Sequence, residues 1–163
     1  IRRQRQMCIR DSHRGVSMRE KLPLMSTNAG SKKLKRGGAW LIVGSCVIQE
    51  HTDILEEIGK NFDNLIHICL EETHINMAEA KLAAMVKISM PAKIAAITVD
   101  GSPHCVQLHY LIEDIRKYYN LSVETSHFVI YNNKLFEVSS DAVKTSRYLN
   151  KIQKLLNATK NSK

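Results

Sequence analysis

The chain has 163 residues, 24 Lys plus Arg against 16 Asp plus Glu, and a formal net charge of +8. Hydrophobic residues make up 44% and charged residues 25%, an ordinary globular balance, and no apolar run reaches the ~18–20 residues of a membrane helix. The charge is uneven: residues 1–38 hold eleven basic and two acidic side chains (+9) and residues 39–163 thirteen and fourteen (−1), which argues against a basic nucleic-acid-binding domain.

The head divides in two. Arg2-Arg3-Gln4-Arg5-Gln6-Met7-Cys8-Ile9-Arg10-Asp11-Ser12 has neither hydrophobic period nor turn chemistry. It is identical, residue for residue, to one reading frame of an adapter used in transposon-based sequencing libraries. Residues 1–12 are therefore read as a translated scar, outside fold reasoning. The native start is then open, with Met18 and Met25 as candidates or a further segment upstream. Residues 13–38 read as a basic, disordered linker. Lys32-Lys33-Leu34-Lys35-Arg36 lies there beside Gly30, Gly37 and Gly38, with no aromatic side chain to stack on a base. No signal-peptide apolar stretch follows the head, so the cytoplasm is the expected compartment. Four widely spaced cysteines (Cys8, Cys46, Cys69, Cys105) do not make a disulfide framework.

From Ala39 to Asn157 the chain reads as one domain. Trp40-Leu41-Ile42-Val43, ending at Gly44, is a buried strand. Ile54, Leu55, Ile58 and Phe62 recur at helical spacing. Leu65 to Leu70 is a second strand, with Cys69 in the core and His67 on a partly exposed face. Ala78, Leu82, Met85 and Val86 mark a second helix, stopped before Pro91. Ile94 to Val99 is a third strand, and Leu108, Leu111, Ile112, Ile115 and Tyr119 trace one face of a third helix. His127–Tyr131 and Lys134–Val138, joined by Asn132-Asn133, form a β-hairpin on a tight two-residue turn. Ser139 or Ser140 caps a final helix with Asp141 near its positive end. Ala142, Leu149, Ile152 and Leu156 form its buried face, and residues 158–163 fray. The order implies an α/β fold: a single three-layer domain with a mainly parallel sheet, Rossmann-like or flavodoxin-like in winding, with a C-terminal β-hairpin and final helix.

Ligands of such sheets bind beyond the carboxyl ends of the strands where the winding reverses. With strand order 2-1-3, that places Gly44-Ser45-Cys46 beside Asp100-Gly101-Ser102-Pro103-His104-Cys105. Gly44, Ser45, Asp100, Gly101 and Ser102 are the expected ligand-binding residues. Ser102 is a good N-cap and Pro103 suits the first helical position. Cys105 then lies in the first turn, where N–H groups and the helix dipole favour a thiolate. His109, four residues on, is its expected partner as hydrogen-bond donor or base, and the two are the candidate catalytic pair. Cys46, His104 and Cys105 are the candidate metal ligands, enough for a metal or iron–sulfur cluster only if it is shared with a partner. Glu71, Glu72 and His74 border the same edge as a charged loop. Nucleotide glycine fingerprints are absent.

Ser102-Pro103-His104-Cys105 resembles the Cys-Pro-His-Cys site of the periplasmic disulfide oxidases of the thioredoxin family. The likeness spans four residues, with Ser102 where the attacking cysteine belongs and no Pro before the fourth strand, so the family is not assigned. Two readings of function follow. One is a cytoplasmic domain with a cysteine-containing redox or metal/cofactor-associated site. The other is a non-catalytic accessory or regulatory subunit that binds a protein partner or a small anion, in which Cys46 and Cys105 only pack. Neither involves a membrane.

Overall fold

The computed structural model describes residues 20–161, so the adapter-like residues 1–12 lie outside it. Its elements in chain order are β1 (Lys21–Pro23), β2 (Ala39–Gly44), α1 (Ser45–Glu50), α2 (Thr52–Gly59), β3 (Asn64–Ile68) and α3 (Ile75–Ser89). There follow β4 (Lys93–Val99), α4 (Pro103–Tyr118), β5 (Glu124–Tyr131), β6 (Lys134–Val138), α5 (Ser140–Thr145) and α6 (Leu149–Asn161).

The strands form one sheet in the order β1-β3-β2-β4-β5-β6, parallel except for the β5–β6 hairpin. β2 therefore sits between β3 and β4, as the winding argument requires, with Ile42 opposite Ile66 on one side and Ala96 on the other. Strand alternation splits the core into two faces. Trp40, Ile42, Ile66, Ile94 and Ala96 pack with Leu82 and Met85 of α3 and Leu108, Leu111 and Ile112 of α4. Leu41, Val43, Leu65, Ala95 and Ile97 pack instead with Val47 of α1 and Leu55 and Ile58 of α2. Helices on both faces make the three-layer α/β arrangement, closed at one edge by the hairpin. Asn132 and Asn133 carry its turn at φ 49° and 56°, which asparagine tolerates better than most residues.

Two expectations need correction. The segment expected as a disordered linker is part of the fold from Lys21 on: β1 pairs with β3, and Leu22, Leu24 and Leu34 are buried in the first core. Asn64 fixes this segment, its amide donating to the Lys33 carbonyl and its oxygen accepting from the Lys35 N–H, both at 2.8 Å. Trp40 Nε1 adds a bond to the Lys35 carbonyl. Charged neighbours on a three-residue edge strand hide the apolar positions. The final helix is also not one buried helix. It divides into α5, where Val143 is buried, and α6, where no residue is. Leu149 is 82% exposed, Leu156 is 52% exposed and Ala142 is exposed; Ile152 is half-buried. The helical repeat is real, but its apolar stripe faces away from the core. Residues 157–161 continue α6, whereas fraying was expected from residue 158.

Candidate functional site

Three strand ends build a cleft at the carboxyl edge of the sheet. β2 runs into Gly44-Ser45-Cys46, β3 into Cys69-Leu70-Glu71, and β4 ends beside the start of α4 with Ser102, His104 and Cys105; Ile68, Thr98 and Leu108 complete the lining. The cleft encloses about 30 Å³, room for about two waters at ~15 Å³ each. Ser102 caps α4 as its sequence suggests, its Oγ accepting from the Cys105 N–H at 3.4 Å with Pro103 in the first turn. That cap fixes where Cys105 enters the cleft.

The structure brings Gly44, Ser45, Cys46, Ser102, His104 and Cys105 together, as expected, and adds Cys69 and Glu71. Cys69 does not lie inside the strand. β3 ends at Ile68, so the thiol turns to the cleft and is half-buried. All three described cysteines are free and share this lining. Burial pushes the Cys46 thiol up, and the nearby Cys105 and Cys69 add to the rise. The Ser45 hydroxyl also lies 3.4 Å from His67 Nδ1, whose ring is held below the usual imidazole range by burial and then by Lys21.

Asp100 and Gly101 are not part of the cleft lining. Asp100 is exposed, and its carboxylate accepts from the Gly101 N–H at 3.0 Å. Gly101 has φ +92°, so the glycine serves the turn that re-aims the chain into α4. At Gly44 a Cβ would meet Thr98 Cγ2 at an ordinary 3.5 Å; packing there does not demand a glycine. Nor is His109 the partner of Cys105. It faces the sheet, 3% exposed, with Nε2 2.8 Å from Thr98 Oγ1 and Nδ1 3.1 Å from His127 Nδ1. Both ring nitrogens are thus occupied away from the sulfur. Among the described residues no group of three or more His, Cys, Asp or Glu is placed to hold a metal ion, so Cys46, His104 and Cys105 do not form the expected ligand set.

His109 opens a buried polar chain that sequence spacing did not show. Thr98 on β4, with Thr125 and His127 on β5, points to the face that α4 covers. His127 Nε2 lies 2.9 Å from Glu113 Oε1, which also accepts from Ser140 Oγ at 2.8 Å and Thr125 Oγ1 at 3.1 Å. Glu113 Oε2 pairs with Arg116 at 2.9 Å. Burial alone would raise the Glu113 carboxyl, but hydrogen bonds from His127, Arg116 and Ser140 outweigh it and bring the group down to about 2. Burial, with His127 adding to it, lowers His109 to about 3 and keeps it neutral. Glu113 is thus ionised and accepts from Ser140, Thr125 and Arg116, while the neutral His109 bridges Thr98 and His127. A line of hydrogen-bonded groups therefore runs from Thr98 in the cleft wall, through His109 and His127, to Glu113 in the far half of α4.

A mainly parallel sheet covered on both faces, with its cleft at the point where the winding reverses, defines the Rossmann class of α/β domains. The chain belongs to the Rossmann-like domain family, whose model matches residues 34–162. No curated protein and no solved structure matches it. No helix among the described residues is long and apolar enough to cross a membrane.

Proposed function

We propose that this domain is a cytoplasmic thiol-redox module whose site is the cleft formed by Cys46, Cys69 and Cys105. The observation that carries the reading is the convergence of three free thiols, from three successive strand ends, on one cleft. A space of about 30 Å³ suits chemistry done by the side chains themselves better than enclosure of a large ligand. Cys105 is the attacking group, because it sits in the first turn of α4 behind a Ser-Pro cap. The Cys105 thiolate attacks one sulfur of a low-molecular-weight disulfide and expels one thiolate. Cys46, or Cys69, gives up its proton and attacks the Cys105 mixed disulfide, expelling the second. Two protein thiols are oxidised to one disulfide as the small disulfide is reduced to two thiols. Ser45, Ser102 and His104 line the path of the incoming group. A metal or iron–sulfur cluster at this edge would need ligands from a partner, and an anaerobic absorption spectrum would reveal it.

Glutathione disulfide added to the reduced protein, followed by peptide mass mapping, tests the exchange. The expected product is an intramolecular disulfide containing Cys105, with loss of two hydrogens. Cys105→Ser should abolish it, and Cys46→Ser should leave a Cys105 mixed disulfide or shift the bridge to Cys69. If Cys105 is left unmodified, or all three cysteines react alike, the thiol reading fails.

The accessory-subunit reading is the second, favoured by α6. Its Leu149, Leu155 and Leu156 are exposed, and its Lys151, Lys154 and Lys160 meet no acidic residue within the helix. Such a face suits an apolar, acid-rimmed groove on a protein partner. In that case the cysteines only pack, and the mass mapping above returns no bridge.

A further inference from the structure

At the opposite end of α4 from the cysteines lies an open cavity of about 610 Å³. Its cations come from three helices and one link: Arg116 and Lys117 from the last turn of α4, Lys144 from α5, Arg147 from the α5–α6 link, and Lys151 from the first turn of α6. We propose that this cavity is a second binding site, for a small ligand carrying a phosphate group.

The charge balance leaves the cavity positive. Glu113 and Asp114 are the acidic residues of its lining. Glu113 is committed to His127, Thr125, Ser140 and Arg116, and Asp114 to Arg147 at 3.1 Å. Lys144 has a loose contact with the fully solvated Asp141 at 3.7 Å. Five cations against these three carboxylates leave +2 on a domain that carries −1 over residues 39–163. Lys117 and Lys151 pair with no carboxylate among the described residues and lie over the rings of Tyr118 and Tyr148, at 5.9 and 4.3 Å.

Helix electrostatics explain only part of this. Arg116 and Lys117 are well placed at the negative end of α4. Lys151 is not: it sits in the first turn of α6, where the dipole disfavours a cation and where no acidic residue compensates. The positive end of α6 instead adds to the field of the cavity. One donor is also left over. Arg116 Nε is buried and has no hydrogen-bond partner, an unfavourable state that an arriving acceptor would relieve. A guanidinium flanked by ammonium groups suits an anion with about two charges and several acceptor oxygens, as phosphate offers. The volume lies within the range of small-molecule sites and exceeds what an inorganic ion fills, so the phosphate belongs to a small organic ester such as a nucleotide.

Calorimetric titration of the full chain with inorganic phosphate, tripolyphosphate and adenosine monophosphate tests the proposal, with a short RNA oligonucleotide as a further arm. Adenosine monophosphate and tripolyphosphate should each bind one per chain. The double variant K144Q/K151Q, both at exposed positions, should weaken that binding at least tenfold, and K154Q, outside the cavity, should leave it within twofold. Binding unchanged by K144Q/K151Q would place the anions on the basic head and overturn the proposal. So would the absence of binding at millimolar concentration, or RNA binding that adenosine monophosphate does not displace.

Discussion

Glu113 is the most connected side chain described here, and its connections set the acid stability of the protein. The folded state holds the carboxyl at about 2, against an ordinary value of 4.5, and holds His109 at about 3, against 6.5. In both cases the unfolded chain binds protons that the folded chain refuses, so stability rises with pH through these windows. The His109 contribution is complete above about pH 6.5 and is lost on acidification towards pH 3; that of Glu113 is complete above about pH 4.5 and is lost towards pH 2. Glu113→Gln leaves His127 and Arg116 without their charged acceptor and is expected to cost about 2–4 kcal/mol at pH 7. It should also flatten the stability profile between pH 4.5 and 2. His109→Gln should flatten it between pH 6.5 and 3. Urea midpoints measured across that range check both; variant curves running parallel to the parent would show that the chain of bonds is not the source. None of this was legible as a pattern. Thr98, His109, Glu113 and His127 meet only because β5 lies in register beside β4 under one face of α4, which no local spacing encodes.

The elements differ in how plainly their residues announce them. β2, β3 and β4 are short β-branched runs bounded by turns, and α3 and α4 have clean apolar periods. Their order alone places the reversal of winding and, with it, two of the three loops of the cleft. Cys69 was hidden because Leu65 to Leu70 is apolar apart from His67, with no turn residue to show that the strand stops at Ile68. Periodicity also says that a helix has an apolar side without saying what covers it. This is why α6 is correctly expected as a helix and wrongly expected as buried. β1 is the converse, three residues beginning at Lys21 beside Glu20 that nevertheless lead two leucines into the core. The contrast has a direct measure. Leu24 is 1% exposed and Leu149 is 82% exposed. Leu24→Ala should cost about 2–4 kcal/mol, as for other large-to-small core changes. Leu149→Ser should stay within about 0.5 kcal/mol, as for surface positions. Equilibrium unfolding in urea decides it, and a cost near zero for Leu24→Ala would return residues 21–38 to the status of a linker.

At the scale of the whole molecule, the sheet sets a gradient of stability from its centre outwards. Residues 40–43 of β2 and 94–97 of β4 are at most 2% exposed, with helices over both faces. β6 forms the opposite edge to β1 and has an exposed surface over most of its length. Opening a central strand means separating both helical layers, so its amides should exchange only through global unfolding. Hydrogen exchange should therefore be slowest at residues 41–43 and 95–97, faster in β6, and fastest in α6, which buries no residue. Trp40, the single tryptophan, is fully buried at the start of β2 and reports on the same centre. Its fluorescence transition in urea should coincide with the loss of helical circular dichroism if the two faces form one cooperative unit. The stability from that transition should equal the exchange limit of the β2 and β4 amides. A fluorescence transition that precedes the loss of helix would mean that the two helical layers leave the sheet separately. The cysteine cleft, built from the ends of β2, β3 and β4, would then sit on the less stable part of the molecule.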